Sequence, residues 1–180
     1  VKSLHPAIHG PLLARLESDE DRIGLAELGY GPISVVACNL YPFSTAASQE
    51  PRLNDPDLLE MIDIGGPTMV RASAKNHRNV IIVSNPDNYS KVVEELNAAG
   101  STDAVSRTFR QQLALEAFEH TAAYDAAISN ELHSRWIGRP ESYAEKSEQE
   151  IRLPETLIAS AEKLHTLRYG ENGHQAAALY

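Results

Sequence analysis

Apolar residues come along this chain in two kinds of burst, and the difference between them predicts the elements. Over 33–40 (Ile-Ser-Val-Val-Ala-Cys-Asn-Leu) and 79–84 (Asn-Val-Ile-Ile-Val-Ser) the run is nearly continuous, which predicts strands buried on both faces, as in a parallel sheet. Elsewhere the apolar spacing is three or four. Ile23, Leu25 and Leu28 predict an amphipathic helix over 19–28, stopped by the Gly29 to Pro32 turn. Asn54-Asp55-Pro56 opens a short helix reaching Ile62, and Asn85-Pro86 opens one reaching Gly100 with Tyr89, Val93 and Leu96 inward. The order strand, helix, helix, strand, helix predicts an α/β fold with helices on both faces of a parallel sheet. Residues 102–130 form one long helical pattern, with Phe109, Leu113, Ala117, Thr121, Tyr124 and Ile128 in a stripe. This reads as one or two helices packed on the sheet or on a partner, and His120, just off the stripe, reads as a packing residue. Residues 138–150 are polar, carry Pro140 and read as a linker.

Polar residues matter most over 63–77, Asp-Ile-Gly-Gly-Pro-Thr-Met-Val-Arg-Ala-Ser-Ala-Lys-Asn-His. Gly65 and Gly66 can adopt backbone conformations closed to other residues, and Pro67 suits the first position of a helix, so a tight turn is expected to feed a helix at Pro67. The first amides of that helix, backed by its dipole, are a seat for an anion or a polarised carbonyl, with Asp63 just ahead. Arg71 and Lys75 share a face, which Arg78 extends if the helix lasts. Either an anionic group lies against them or they point into water. Asn39 and Tyr41 fall at the carboxyl end of the first strand, where open α/β sheets bind ligands; the plainer reading is a turn cap and a packing residue. Cys38 reads as a small core residue with one face near this site.

Near the start, His5 and His9 have the spacing of a helical metal site. Pro6 between them and Gly10 after them argue against a regular helix, and no acid or cysteine follows at ligand spacing. Turn formation is the expectation, with no metal. Lys2 is either a ligand contact or an exposed charge. Arg168, Glu171, Asn172, His174 and Gln175 crowd more hydrogen-bonding capacity into the run 167–175 than a plain connector needs.

With 180 residues the chain suits one domain and an extension. A net charge of -9 without any basic block argues against a nucleic-acid partner, and no apolar run approaches bilayer length. Cys38 is the one cysteine, so no internal disulfide forms. The opening Val-Lys-Ser-Leu-His-Pro, without methionine or signal segment, reads as part of a longer, cytosolic protein.

Five runs then fall into a familiar order: Val-Lys-Ser-Leu-His-Pro-Ala-Ile-His-Gly at the start, Asn-Leu-Tyr-Pro-Phe at 39–43, the 63–77 run, Ala-Phe-Glu-His-Thr-Ala-Ala-Tyr-Asp at 117–125 and Leu-Arg-Tyr-Gly-Glu-Asn at 167–172. Together they closely resemble the PurH family of bifunctional purine enzymes. These join an inosine monophosphate (IMP) cyclohydrolase domain to an aminoimidazole carboxamide ribonucleotide (AICAR) formyltransferase domain. The resemblance implies a methylglyoxal synthase-like α/β domain over 1–137 lacking its amino-terminal part, a linker over 138–152, and the start of the formyltransferase domain over 153–180. It implies a cytosolic, intertwined homodimer that closes the ring of the formylated carboxamide ribonucleotide to IMP and water without metal or cofactor. The formyltransferase domain takes 10-formyltetrahydrofolate as co-substrate. By motif match, nucleotide contacts fall on Val1, Lys2, Ser3, Cys38, Asn39, Asp63, Ile64 and Gly65. Catalytic roles fall on Lys2, Tyr41, Asp63 and Lys75, and AICAR contacts in the second domain on Arg168 and Tyr169.

In this reading Lys75, crowded by Arg71, shuttles the proton while Lys2 and Tyr41 steady the developing oxyanion. The chain departs from the family at Gly173, where proline is usual, and at Ala7 and Pro11, where lysine and glycine are common. Without the family's first strand and phosphate loop, little stability or activity is expected from residues 1–180 alone. Two other readings use the same residues: an allosteric nucleotide-binding module of the methylglyoxal synthase-like fold, and a structural dimerisation fragment built on the 102–130 stripe.

Overall fold

A computed structural model describes residues 2–137, 156 and 158–180. Val1 and the linker expected over 138–152 lie outside the described residues. The chain divides into two units, Val1–Ile128 and Ser129–Tyr180, so the division falls inside a helix.

In the first unit β1 (Val35–Ala37) lies parallel to β2 (Ile81–Val83), in the register Val35 to Ile81, Val36 to Ile82 and Ala37 to Val83. The Cys38 amide donates to the Val83 carbonyl at 3.0 Å, carrying the ladder one residue past β1. Both strands are shorter than their apolar runs. β2 is buried throughout, because Ile81 and Val83 enter one apolar cluster and Ile82 another. β1 differs from the expectation: Val36 packs inward while Val35 and Ala37 are exposed, so among the described residues only one face of β1 is covered.

The helices that flank the pair are α1 (Pro6–Leu13), α2 (Asp19–Glu27), α3 (Phe43–Ser48), α4 (Asp55–Leu59), α5 (Gly65–Lys75), α6 (Tyr89–Ala99) and α7 (Arg107–Trp136). α1 forms where a regular helix was not expected. His5 is its N-cap, with Nδ1 accepting the Ala7 amide at 3.1 Å, and Pro6 occupies the first turn, where a missing amide costs nothing. α2 starts on Ser18 and gives way to Gly29 at φ 69°, but only Leu25 of its predicted stripe is buried. α3 has no counterpart in the sequence reading. α6 follows a 3-10 turn over Pro86–Asn88 and ends on Gly100, φ 75°, whose amide reaches the Leu96 carbonyl. Val92, rather than Tyr89 or Val93, is the buried position, and the predicted Leu96 packs against the same apolar cluster.

α7 is one helix of 30 residues, and its stripe is the predicted one: Phe109, Leu113, Ala117 and Thr121 are buried, and Tyr124 and Ile128 pack against Phe43 and Leu58. His120 is exposed, and so is not a packing residue. Arg110 is buried near the start of α7, where its guanidinium donates to the carbonyls of Val105, His77 and Thr102. Burial lowers its pKa from the ordinary arginine value, Asp103 opposing.

In the second unit β3 (His165–Leu167) pairs antiparallel with β4 (Ala177–Leu179). Their connection is closed by its own residues. Gly170 donates to the Gln175 carbonyl at 2.9 Å, Gln175 to the Asn172 carbonyl at 2.9 Å, and the Asn172 amide to Gln175 Oε1 at 2.8 Å. Gly173 lies in open space with no positive φ. Among the described residues no helix is long and apolar enough to cross a membrane.

Candidate active site at the start of α5

α5 begins at Gly65, two residues earlier than its proline suggests. Neither Gly65 nor Gly66 has a positive φ, so their conformational freedom is not what the fold uses. It uses their missing side chains. A Cβ on Gly65 would overlap Ser3 Oγ and come within 3.2 Å of Ser3 Cβ. A Cβ on Gly66 would overlap Asp63 Oδ2 and lie 2.9 Å from Asp63 Cγ and 3.0 Å from Leu40 Cδ2. The two glycines therefore let the amino-terminal segment and the β1 exit approach one helix start.

Asp63 is held there from two sides. Its Oδ1 accepts the Gly66 amide at 2.9 Å, satisfying one of the amides that a helix leaves without an intrahelical partner. Its own amide donates to Tyr124 Oη at 2.8 Å, and that hydroxyl donates in turn to the Met61 carbonyl at 3.2 Å. Cys38 comes off β1 close enough to feel the carboxylate. Burial, and next the charge of Asp63, push its thiol above the usual range, so it stays protonated at neutral pH. Its Sγ turns to the Asn39 carbonyl at 3.6 Å.

The segment bearing Ser3 runs beside α5 from end to end. Ser3 meets Gly65, and buried Asn76, just past Lys75, donates to the Leu12 carbonyl at 3.0 Å and the Ala14 carbonyl at 2.8 Å. Lys2 lies in the 3-10 turn Lys2–Leu4 that precedes α1.

Of the residues expected at the site, the structure thus brings together Ser3, Cys38, Asp63 and Gly65. Asn39 and Tyr41 follow directly from Cys38 and are exposed, as is Ile64, the residue before the helix. Lys75 is not among them. It is the last residue of α5, ten positions from Gly65 and therefore about 15 Å away along the axis. It is exposed at that end. Arg71, paired with it in the sequence reading, has its guanidinium carbon 5.5 Å from the centre of the Phe118 ring, and Arg78 lies beyond the helix. Arg168 and Tyr169 leave β3 in the second unit, both exposed.

Tyr124 is the residue whose part in the site the sequence does not announce. Tyr124 was placed on the packing stripe, correctly, but a tyrosine carried into a core brings a hydroxyl that needs partners, and that was the available signal.

A half-buried carboxylate fixed at a helix start can orient an N–H group, and the start of the helix can receive a carbonyl or anionic oxygen a few ångströms away. The sequence is similar to those of known proteins. Residues 73–180 match the family described as AICARFT/IMPCHase bienzyme. The bifunctional purine biosynthesis proteins PurH of Sorangium cellulosum, Persephonella marina and Myxococcus xanthus are 43%, 46% and 47% identical to it, over 100% of this chain and 33%, 32% and 32% of their own. The chain thus spans about a third of the length of these relatives. A crystal structure of ForH aligns with a TM-score of 0.68 at 35% identity, covering 76% of this chain and 68% of that one. The chain belongs to the AICARFT/IMPCHase bienzyme family.

Proposed function

We propose that this chain contributes the IMP cyclohydrolase site of a bifunctional purine-biosynthesis enzyme, on a methylglyoxal synthase-like domain over 1–137. The observation that carries the reading is the Asp63 carboxylate, fixed by the Gly66 amide at the start of α5 and facing the exit of β1. Ring closure joins a carboxamide nitrogen to a formamide carbon. The carboxamide nitrogen loses a proton as the new C–N bond forms and the formyl oxygen gains one. The formamide nitrogen then gives up its hydrogen, the C–O bond breaks, and the hydroxyl leaves as water with a C=N bond in its place. The carboxamide nitrogen is a weak nucleophile and the formyl carbon a weak electrophile, so both must be aligned and the developing charge met. In this reading Asp63 accepts the carboxamide N–H and aims the nitrogen, while the Ile64 and Gly65 amides receive the formyl oxygen. Lys2 and Tyr41 steady that oxygen as it becomes anionic. The remaining nucleotide contacts are those implied by family likeness, Val1, Ser3, Cys38 and Asn39.

The site needs neither metal nor cofactor in this reading. Residues 153–180 begin the formyltransferase domain, with Arg168 and Tyr169 contacting AICAR. That domain formylates AICAR with 10-formyltetrahydrofolate in the whole protein, read as a cytosolic homodimer.

The test is ultraviolet detection of ring closure with the chain extended to its relatives' length. The wild type closes the formylated ribonucleotide, and Asp63→Asn slows closure by about 10² or more. A Lys75→Ala variant within tenfold of wild type removes Lys75 from proton transfer and leaves Asp63 in place. A wild type that the nucleotide stabilises against heat but that closes nothing makes this a regulatory nucleotide-binding domain instead.

A further inference from the structure

We infer that Tyr124 is the residue that positions Asp63 for ring closure, an inference that rests on the cyclohydrolase reading above. The Tyr124 hydroxyl accepts the Asp63 amide at 2.8 Å and donates to the Met61 carbonyl at 3.2 Å. It therefore clamps the turn between α4 and α5 on either side of Ile62. The tyrosine stands on α7, a single continuous helix whose inner stripe is packed into the core. Its ring meets Phe43 edge to face, with centroids 6.4 Å apart and planes at 73°. Phe43 is fully buried and opens α3 two residues after Tyr41. One side chain thus fastens to the same helix both the turn that presents Asp63 and the segment that presents Tyr41. Burial raises the phenol above its ordinary value, the bond from the Asp63 amide opposing and the charges of Asp63 and Asp125 adding, so the group remains a neutral donor to Met61.

Phenylalanine at 124 keeps the ring against Phe43 and removes only the clamp. Asp63 keeps its bond to the Gly66 amide, so its carboxylate loses one of two constraints. A misplacement on the order of 1 Å at a reacting group costs up to about 10² in rate. Tyr124→Phe, in the chain extended to its relatives' length, is therefore expected to lower kcat by tenfold to a hundredfold per folded molecule, with KM within about twofold of wild type. If Tyr124 acts through Asp63, adding Tyr124→Phe to Asp63→Asn slows the enzyme no further. A merely structural tyrosine lowers the melting temperature and leaves kcat per folded molecule unchanged. That result overturns the inference, as does a double variant whose losses multiply.

Should Tyr124→Phe not fold, a fluorinated tyrosine at 124, nearly equal in size and more acidic, replaces it. Its kcat then falls at alkaline pH, where the phenolate can no longer donate to Met61, in a range where wild type is flat; a flat profile overturns the inference. Closure by wild type with Tyr124→Phe unaffected sinks this inference alone, whereas a wild type that does not close the ring sinks the cyclohydrolase reading and this inference with it.

Discussion

Gly66 meets two demands that conflict for any other residue. Its amide must reach Asp63 Oδ1, and the space over its Cα must hold the rest of that carboxylate and a methyl of Leu40. Alanine at 66 improves helix propensity by about 1 kcal/mol but forces Asp63 aside, an overpacking cost of about 1–3 kcal/mol. The net loss of stability is at most about 2 kcal/mol, whereas the carboxylate moves in full. Gly66→Ala is therefore expected to melt within a few degrees of wild type and to lose ring closure about as severely as Asp63→Asn. Thermal melts and the closure assay, run side by side, check both halves. The importance of the glycine pair was legible in the sequence, but its cause was not. A sequence displays conformational freedom as a property of the residue type, while a close approach depends on partners from 3 and 40 that only the fold supplies.

At the scale of elements, periodicity was readable where it was long and misled where it was short. α7 repeats its stripe over many turns, so chance substitutions average out. α3 is Phe-Ser-Thr-Ala-Ala-Ser, in which a single large apolar residue sets no period, and it forms by burying Phe43, Ala46 and Ala47. Pro6 and Gly10 argue against a regular helix at α1, yet the helix forms, capped by His5. Residues that look like breakers become starters when they fall one position earlier.

α2 owes its start to Ser18 and Asp21 together. Ser18 Oγ accepts the Asp21 amide at 3.3 Å, and the Asp21 carboxylate takes the Arg15 amide at 2.7 Å and its guanidinium at 3.0 and 3.1 Å. The Arg15 side chain and backbone hold Asp21 at about 2, below the ordinary 3.8. A carboxyl depressed on folding stabilises the fold above its unfolded value and loses that effect as pH falls through the folded one. Asp21→Asn is thus expected to melt below wild type at neutral pH, with a gap that narrows as pH falls from 3.8 towards 2. Melting curves across that range decide it, and a gap independent of pH removes the carboxylate from the account.

Across the whole first unit, the site exists because the segment from Ser3 to Ala14 is laid along α5. Its far end depends on Asn76, whose side-chain amide serves two carbonyls that would otherwise lie buried and unmet. Removing that donor costs about 1–3 kcal/mol. Asn76→Ala is expected to lower the melting temperature by several degrees and to speed exchange of amides in α1 more than those in β2, as hydrogen exchange can register. Sequence alone could not place this segment, since contacts between positions 12 and 76 leave no periodic trace. It did supply the parallel strand pair and the polar residues at its exit, because burial of β2 and the order of elements are both written locally.

The same laying-down ties Ser3 to Gly65 in descent as well as in space. A methyl at 65 displaces the Ser3 hydroxyl, and turning that hydroxyl aside still leaves Ser3 Cβ at 3.2 Å. A lineage reaches alanine at 65 smoothly only after position 3 has given up its side chain. The order of those two mutations is therefore set by the fold, and each position holds the other near its present residue.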